Sequence, residues 1–206
     1  MVEDEPTAAA AVFGERLELA RRFTADLAAH GEELGLIGPV ELPRLWSRHI
    51  VNCGLVAPLL KPGRVGDIGS GAGLPGLVLA IARPDATLVL IEPMERRVDW
   101  LRQETAELGL DNVEIVRARA EDAKISPWLD QVTARAVSAL SKLIPLAAPL
   151  VRTGGELLFL KGVSVEKEIE TAAKAIRKAH LRDIEVLTLG DGLVAEVTRV
   201  FRATVD

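Results

Sequence analysis

The spacing of apolar residues changes along this chain, and the two spacings predict different elements. In the first 30 residues, apolar side chains recur every three or four positions, which predicts an amphipathic helix over 7–30. Glycine and proline interrupt the chain over 31–39, and a second helical pattern follows over 43–60. We therefore expect a small N-terminal helical cap over 1–60, followed by a larger domain over 61–206.

Beyond residue 60, short β-branched runs alternate with helical patterns. Strands are predicted at 64–68, 87–91, 113–117, 131–136 and 156–160, and helices at 74–82, 94–108, 138–151 and 165–178. Such alternation is typical of an α/β fold with a mostly parallel sheet. The last two runs, 184–189 and 194–203, are separated only by Gly190-Asp191-Gly192-Leu193, which predicts an antiparallel hairpin. The sheet should thus have seven strands.

The first predicted strand leads into a loop with glycine at every second position. Asp67-Ile68 is followed by Gly69-Ser70-Gly71-Ala72-Gly73, and a helix is predicted to begin near Pro75. Alternating glycines let the backbone bend tightly and approach a ligand, and the helix start adds free N–H groups. The third glycine comes too early for a dinucleotide fingerprint, and no P-loop lysine follows. An acid followed by Gly-x-Gly-x-Gly is instead typical of class I methyltransferases that use S-adenosylmethionine (SAM); the alternative is a glycine-rich turn without a ligand.

A second acid supports a nucleoside-type site. Glu92 ends the next buried strand, about 20 residues beyond the glycine loop, where doubly wound folds place a carboxylate that binds ribose hydroxyls. Because Pro93 follows, Glu92 could instead cap the next helix. A hairpin at the end of the sheet also favours a Rossmann-like methyltransferase over a dinucleotide-binding domain.

Composition indicates the cellular compartment of the protein but does not identify its substrate. With 49% hydrophobic and 27% charged residues and one cysteine, Cys53, the chain is expected to be a cytoplasmic protein without an internal disulfide. No apolar run reaches the roughly 18 residues that cross a bilayer, so no membrane partner is expected. The net charge of −5 counts mildly against a nucleic-acid partner and favours the alternative of a small-metabolite methyltransferase.

Several segments at matching spacing resemble the GidB/RsmG family of bacterial methyltransferases of the small-subunit (16S) ribosomal RNA, which modify a guanine N7. They are Arg48-His49-Ile50, the loop from Asp67 to Gly76, Arg96-Arg97-Val98, Leu101-Arg102, Arg135-Ala136 with Ser138-Ala139-Leu140, and Leu160-Lys161-Gly162. The chain departs from the family pattern at Asn52-Cys53 and over 35–39. The resemblance implies SAM as cofactor and the small ribosomal subunit as partner; a monomer is favoured.

Cofactor contacts are expected from the loop, from two strand ends and from positions that the resemblance adds. The candidates are Asp67, Gly69, Gly71, Gly73, Leu74, Glu92, Ala120, Glu121 and Arg135. The resemblance places Ala120 and Glu121 beside adenine and Arg135 at the methionine end. Glu121 could instead be a helix-start acid, and Arg135 a member of a buried ion pair.

The chemistry beyond the cofactor follows from the acceptor that the resemblance implies. Guanine N7 has a lone pair and no proton, so transfer needs no general base and can rest on alignment. No catalytic residue is assigned, although Arg135, Ser138 and Lys161 are expected to face the substrate. RNA contacts are expected from Arg44, Arg48, Arg96, Arg97, Arg119, Lys142 and Lys161. No metal site is predicted.

Overall fold

A computed structural model describes residues 2–206, in which seven strands form one sheet. The order across the sheet is β3-β2-β1-β4-β5-β7-β6, with β7 antiparallel to both neighbours. The strands are β1 (Gly63–Ile68), β2 (Ala86–Ile91), β3 (Val113–Val116), β4 (Leu129–Arg135), β5 (Val151–Lys161), β6 (Leu181–Leu189) and β7 (Thr198–Val205). The predicted class, a parallel sheet ending in an antiparallel pair, is confirmed.

The connection between β6 and β7 differs from the predicted tight hairpin. Leu189 pairs with Thr198, so eight residues, 190–197, link the strands. The chain does turn at Gly190, whose carbonyl accepts from the N–H groups of Leu193 and Val194. Val194 then packs against the hydrophobic core instead of entering the ladder. The second strand therefore begins at Thr198, four residues later than predicted.

Prolines and a glycine break the two helices predicted for the N-terminal cap. The α-helices are α1 (Ala8–Phe13), α2 (Leu17–His30), α3 (Asn52–Gly54), α4 (Gly76–Ala82), α5 (Glu95–Glu107), α6 (Leu140–Ala147), α7 (Val165–Thr171) and α8 (Ala173–Lys178). Gly14, with φ +50°, ends α1 and begins a 3-10 turn, so the helix predicted over 7–30 is in two parts. The helix predicted over 43–60 is a 3-10 helix (Pro39–Arg44), a π-helix (Leu45–Val51), α3 and a 3-10 turn (Ala57–Leu59).

The prediction for 138–151 was also too long at its C-terminal end. Helix α6 ends at Ala147, a 3-10 turn covers Ala148–Leu150, and β5 begins at Val151 and not at 156. Pro149 has no N–H to continue the helical hydrogen bonds, which accounts for the early end.

Helices cover both faces of the sheet, so the central strands are apolar on both sides. In β2, Leu88 and Leu90 belong to one core cluster, whereas Val89 and Ile91 belong to the other. The first cluster includes the N-terminal helices, α4 and α5; the second includes α6, α7 and α8. The buried side chains include Trp46, Cys53 and Trp100.

Strand order reverses between β1 and β4, and this reversal determines where a ligand can bind. In open α/β sheets, the crevice lies beyond the carboxyl ends of the strands at such a switch point. The glycine loop follows β1 and the segment 136–139 follows β4, so both border this crevice. Within residues 2–206, none of the helices has the length and apolar character required to cross a bilayer.

Candidate functional site

The glycine loop adopts backbone conformations that only glycine accepts readily. Gly69, Gly71 and Gly73 have φ values of +67°, +54° and +93°. A Cβ on Gly73 would lie 2.6 Å from Cδ1 of Leu77, so a side chain there would force α4 to move. A Cβ on Gly71 would meet only the Gly69 carbonyl oxygen, at 3.7 Å, among non-adjacent atoms of the described chain. The loop is thus closely packed against α4 at Gly73, whereas at Gly71 there is open space next to the backbone.

Neighbouring elements hold the loop in this shape. The Gly69 N–H donates to the Ile91 carbonyl at 2.9 Å, and the Trp100 Nε1–H donates to the Ala72 carbonyl at 3.1 Å. The sequence pattern does not predict this hydrogen bond. Since nothing in the local pattern around Trp100 points toward the loop, only the packing of α5 on the sheet reveals it.

Asp67 lies fully buried beneath the loop. Its Oδ2 accepts from the Gly76 N–H at 3.0 Å, at the start of α4, whereas Oδ1 has no hydrogen-bond partner among residues 2–206. Burial raises the pKa of Asp67 to about 7, opposed by hydrogen bonding that includes the Gly76 N–H and reinforced by the charge of Glu92. One oxygen therefore supports the helix, and the other lacks a donor that a bound ammonium group could supply.

Glu92 connects the loop to the next helix. It is 1% exposed, and its Oε2 accepts from the Gly71 N–H at 3.0 Å while its Oε1 accepts from the Met94 N–H at 2.9 Å. The second contact lies just before α5, but the N-cap residue of that helix is Met94 and no side chain caps it, so Glu92 is not the cap that the alternative expects. Each carboxylate oxygen can accept a further hydrogen bond, so ribose binding at Glu92 stays a prediction.

A cavity of about 770 Å³ opens at the carboxyl ends of β4 and β5. The π-helix contributes Arg48, and the strand ends contribute Arg135 and Lys161. The remaining lining residues are Asn52, Ala136, Leu160, Gly162, Val163, Glu168, Ala195, Glu196, Val197, Thr198 and Arg199. The segments that line it are thus far apart in the sequence and meet only in the fold.

Arg135 reaches from the sheet to the N-terminal helices. Its Nη2 donates to the Arg48 carbonyl at 3.2 Å, and its Nη1 lies 3.7 Å from the Cys53 sulfur. Burial raises the pKa of the Cys53 thiol to about 11 despite the charge of Arg135, so the thiol stays protonated at neutral pH. A contact of Arg135 with the methionine carboxylate of SAM is not tested by these bonds and stays a prediction.

Lys161, one of the predicted RNA contacts, has a largely buried side chain. Its side chain is 9% exposed, and Nζ donates to the Ser138 carbonyl and to Glu168 Oε2, both at 2.8 Å. The Ser138 hydroxyl is buried and has no partner in the part of the chain that the structure describes. Lys161 lines the cavity and is in contact with Ser138, but that the two face the substrate stays a prediction.

Arg44 and Arg48, two of the predicted RNA contacts, both lie close to the carboxylate of Glu41. Glu41 Oε1 accepts from Arg44 at 2.6 Å, and Glu41 Oε2 lies 2.6 Å from His49 Nε2 and 3.7 Å from Arg48 Nε. Arg48 also bonds Glu196 of the β6–β7 connection at 3.1 Å. Burial lowers the pKa of His49, with further lowering by Arg135, and Glu41 opposes the shift. These side chains tie the cap to the cavity rim.

The other predicted contacts lie on separate elements at the carboxyl-end side of the sheet. Arg96 and Arg97 are in the first turn of α5, and Nη1 of Arg97 is 4.0 Å from Glu92 Oε2. Arg119 follows β3 and is exposed, as is Lys142 in α6. For the cofactor, Leu74 is half-buried, and Ala120 and Glu121 begin a 3-10 turn (Ala120–Asp122) after β3, with Ala120 buried and Glu121 exposed.

The residues around the loop suit an adenosyl sulfonium cofactor. The space above Gly71 is open, Glu92 can accept from a diol, and Asp67 lacks a donor at one oxygen. In the solved structures, M. jannaschii TYW2 in complex with AdoMet is similar, with a TM-score of 0.59 and 19% identity over 79% of this chain and 77% of that one. The strand order and this likeness define a class I methyltransferase fold. A family of methyltransferases matches residues 16–196, so the chain is a SAM-dependent methyltransferase.

Comparison with known sequences identifies the family to which the chain belongs. The family described as GidB, rRNA small subunit methyltransferase G, matches residues 16–196, and the chain belongs to that family. Proteins named ribosomal RNA small subunit methyltransferase G are 68% identical over 204 residues in Leifsonia xyli subsp. xyli and in Clavibacter sepedonicus. These alignments cover 99% of this chain and 98% and 97% of the two relatives. The resemblance seen in the sequence is confirmed.

Proposed function

We propose that this enzyme transfers the methyl group of SAM to N7 of a guanine in 16S rRNA of the small ribosomal subunit. The family description and the names of both relatives support the substrate class. The observation that carries the proposal to this chain is the basic cavity beside the cofactor loop. The lining has two carboxylates, Glu168 and Glu196, and four cationic side chains, so its net charge is positive and favours a polyanionic ligand; the four are Arg48, Arg135, Lys161 and Arg199.

The acids in this cavity fit an acceptor that needs no general base. Its lining includes Glu168, paired with Lys161 at 2.8 Å, and Glu196, paired with Arg48 at 3.1 Å. Carboxylates held in ion pairs are poor proton acceptors. Guanine N7 presents a lone pair without a proton, so its reaction with the sulfonium methyl requires alignment and exclusion of water instead. A monomer in the cytoplasm remains part of the proposal.

Isolated small subunits from cells that lack the gene provide the test. With methyl-labelled SAM, the enzyme should label 16S rRNA, and digestion should release 7-methylguanosine identified by mass spectrometry. A small-molecule extract serves as the second acceptor. Label in the extract with none in the rRNA would show the small-metabolite alternative to be correct, and label in another nucleoside would refute the N7 assignment.

A further inference from the structure

One ion pair holds both ends of the short segment 138–140, which lies between β4 and α6. Lys161 Nζ donates to the Ser138 carbonyl and to Glu168 Oε2, each at 2.8 Å. The same Glu168 oxygen accepts from the Leu140 N–H at 3.1 Å, at the start of α6. Glu168 is on α7, 28 residues beyond Leu140 in sequence. We call this arrangement of Lys161, Glu168 and the segment 138–140 the clip.

The clip restrains a strained stretch of backbone. Ala136, which directly follows β4 and lines the cavity, has φ +56°. Residues other than glycine adopt this left-handed conformation chiefly where the surrounding structure holds them in it, and such sites concentrate where function requires a fixed geometry. The hydrogen bonds of the clip begin two residues after Ala136, so they are placed to hold that conformation.

The restrained stretch also contacts the cofactor loop. A Cβ built on Gly69 would lie 3.0 Å from Cγ2 of Val137, so the Val137 side chain rests against the first glycine of the loop. Ala136 and Val137 therefore lie between the loop and the substrate cavity. A shift of this stretch would change the distance between donor and acceptor, and misplacement by about 1 Å can cost roughly 100-fold in rate.

We propose that Glu168 is a positioning residue for methyl transfer. It acts through Lys161 and Leu140, which it holds so that the stretch over 136–140 stays fixed between the cofactor loop and the cavity. Glu168 itself contacts neither the loop nor the candidate cofactor residues in the contacts described above. The proposal rests on the function proposed for the cavity.

The test compares Glu168→Gln with Glu170→Gln, an equal change at an exposed position of the same helix. Glutamine keeps an acceptor for the Leu140 N–H but does not neutralise the Lys161 ammonium. We expect kcat on small subunits to fall by about 10-fold to 100-fold, with SAM affinity within about twofold of the unmodified enzyme. Because Lys161 no longer holds the neutral side chain in place, its bond to the Leu140 N–H should weaken, and the Leu140 amide should exchange with solvent faster in Glu168→Gln alone.

Ala136→Gly in the Glu168→Gln background is a second test, because glycine accepts φ +56° without strain. We expect this change to recover part of the lost kcat. A kcat and a Leu140 exchange rate equal to those of Glu170→Gln, or no recovery with glycine, would overturn the proposal. If the unmodified enzyme does not methylate small subunits, the proposed function fails, but amide exchange still decides whether the clip holds the segment.

Discussion

Replacing Glu104 by glutamine tests whether one buried carboxyl group limits the stability of this fold. Glu104 is fully buried on α5, and neither of its oxygens has a hydrogen-bond partner within residues 2–206. Oxygens of Asp26 on α2 and of Glu107 lie within 4.8 Å of it and of each other. Burial raises the pKa of Glu104 to about 8, the charges of Asp26 and Glu107 add to the shift, and Arg22 opposes it.

The sign and size of the effect follow from linkage. A carboxyl group whose pKa is higher in the folded protein keeps its proton there while the unfolded chain loses it, so stability falls as pH rises from about 4.5 to 8. Each pKa unit corresponds to about 1.4 kcal/mol. The penalty is therefore about 3 kcal/mol at pH 7 and under about 1 kcal/mol at pH 5. Glutamine does not titrate and removes this dependence.

The assay is urea unfolding of the unmodified protein and of Glu104→Gln at pH 5 and at pH 8. Any pH-independent cost of the buried amide cancels when the difference between the two proteins is compared across pH. We expect this difference to move in favour of Glu104→Gln by roughly 3 kcal/mol between the two pH values. The exposed Glu170→Gln should show no such change. A parallel pH dependence for Glu104→Gln and the unmodified protein would refute the assignment of a protonated, buried Glu104.

Two further substitutions test the site. Gly73→Ala should reduce SAM affinity at least tenfold and lower the melting temperature, because its Cβ would lie 2.6 Å from Leu77 in a backbone with φ +93°; calorimetric titration with SAM checks this, and unchanged affinity would contradict the loop assignment. Arg119→Glu combined with Lys142→Glu, both exposed, should raise the KM for small subunits and leave SAM affinity unchanged. Equal KM values for this double variant and the unmodified enzyme would remove both residues from the RNA-binding surface.

The sheet and the loop could be predicted because their signals are local. Runs such as 87–91 are apolar on both faces, which is the pattern of a strand covered by helices on two sides. The glycines at 69, 71 and 73 signal positive φ by residue type alone, and the structure gives all three that conformation. In both cases a few adjacent residues determine the geometry, so it can be predicted without knowledge of the fold.

The cap could not be predicted to the same depth because competing local signals meet there. The apolar spacing over 43–60 is helical, but Pro43 and Pro58 lack the N–H that a regular helix needs. The chain resolves the conflict with 3-10 turns around a π-helix, Leu45–Val51, and the interior side chains stay buried. In the cap, burial of apolar side chains thus takes precedence over regular helical hydrogen bonding. The apolar spacing in the sequence predicts the burial but not the irregular backbone.

For Arg135, the sequence predicts where the residue lies in the fold but not which residues its side chain contacts. Its place at the end of a central strand follows from the pattern of β4, but its two side-chain contacts are with Arg48 and Cys53, 87 and 82 residues away. Arg48 in turn bonds Glu196 of the β6–β7 connection. The end of β4, the cap and that connection are therefore joined through one cavity wall. Because the cap contributes Arg48 and Asn52 to this wall, its packing on the sheet helps to set the width of the cavity.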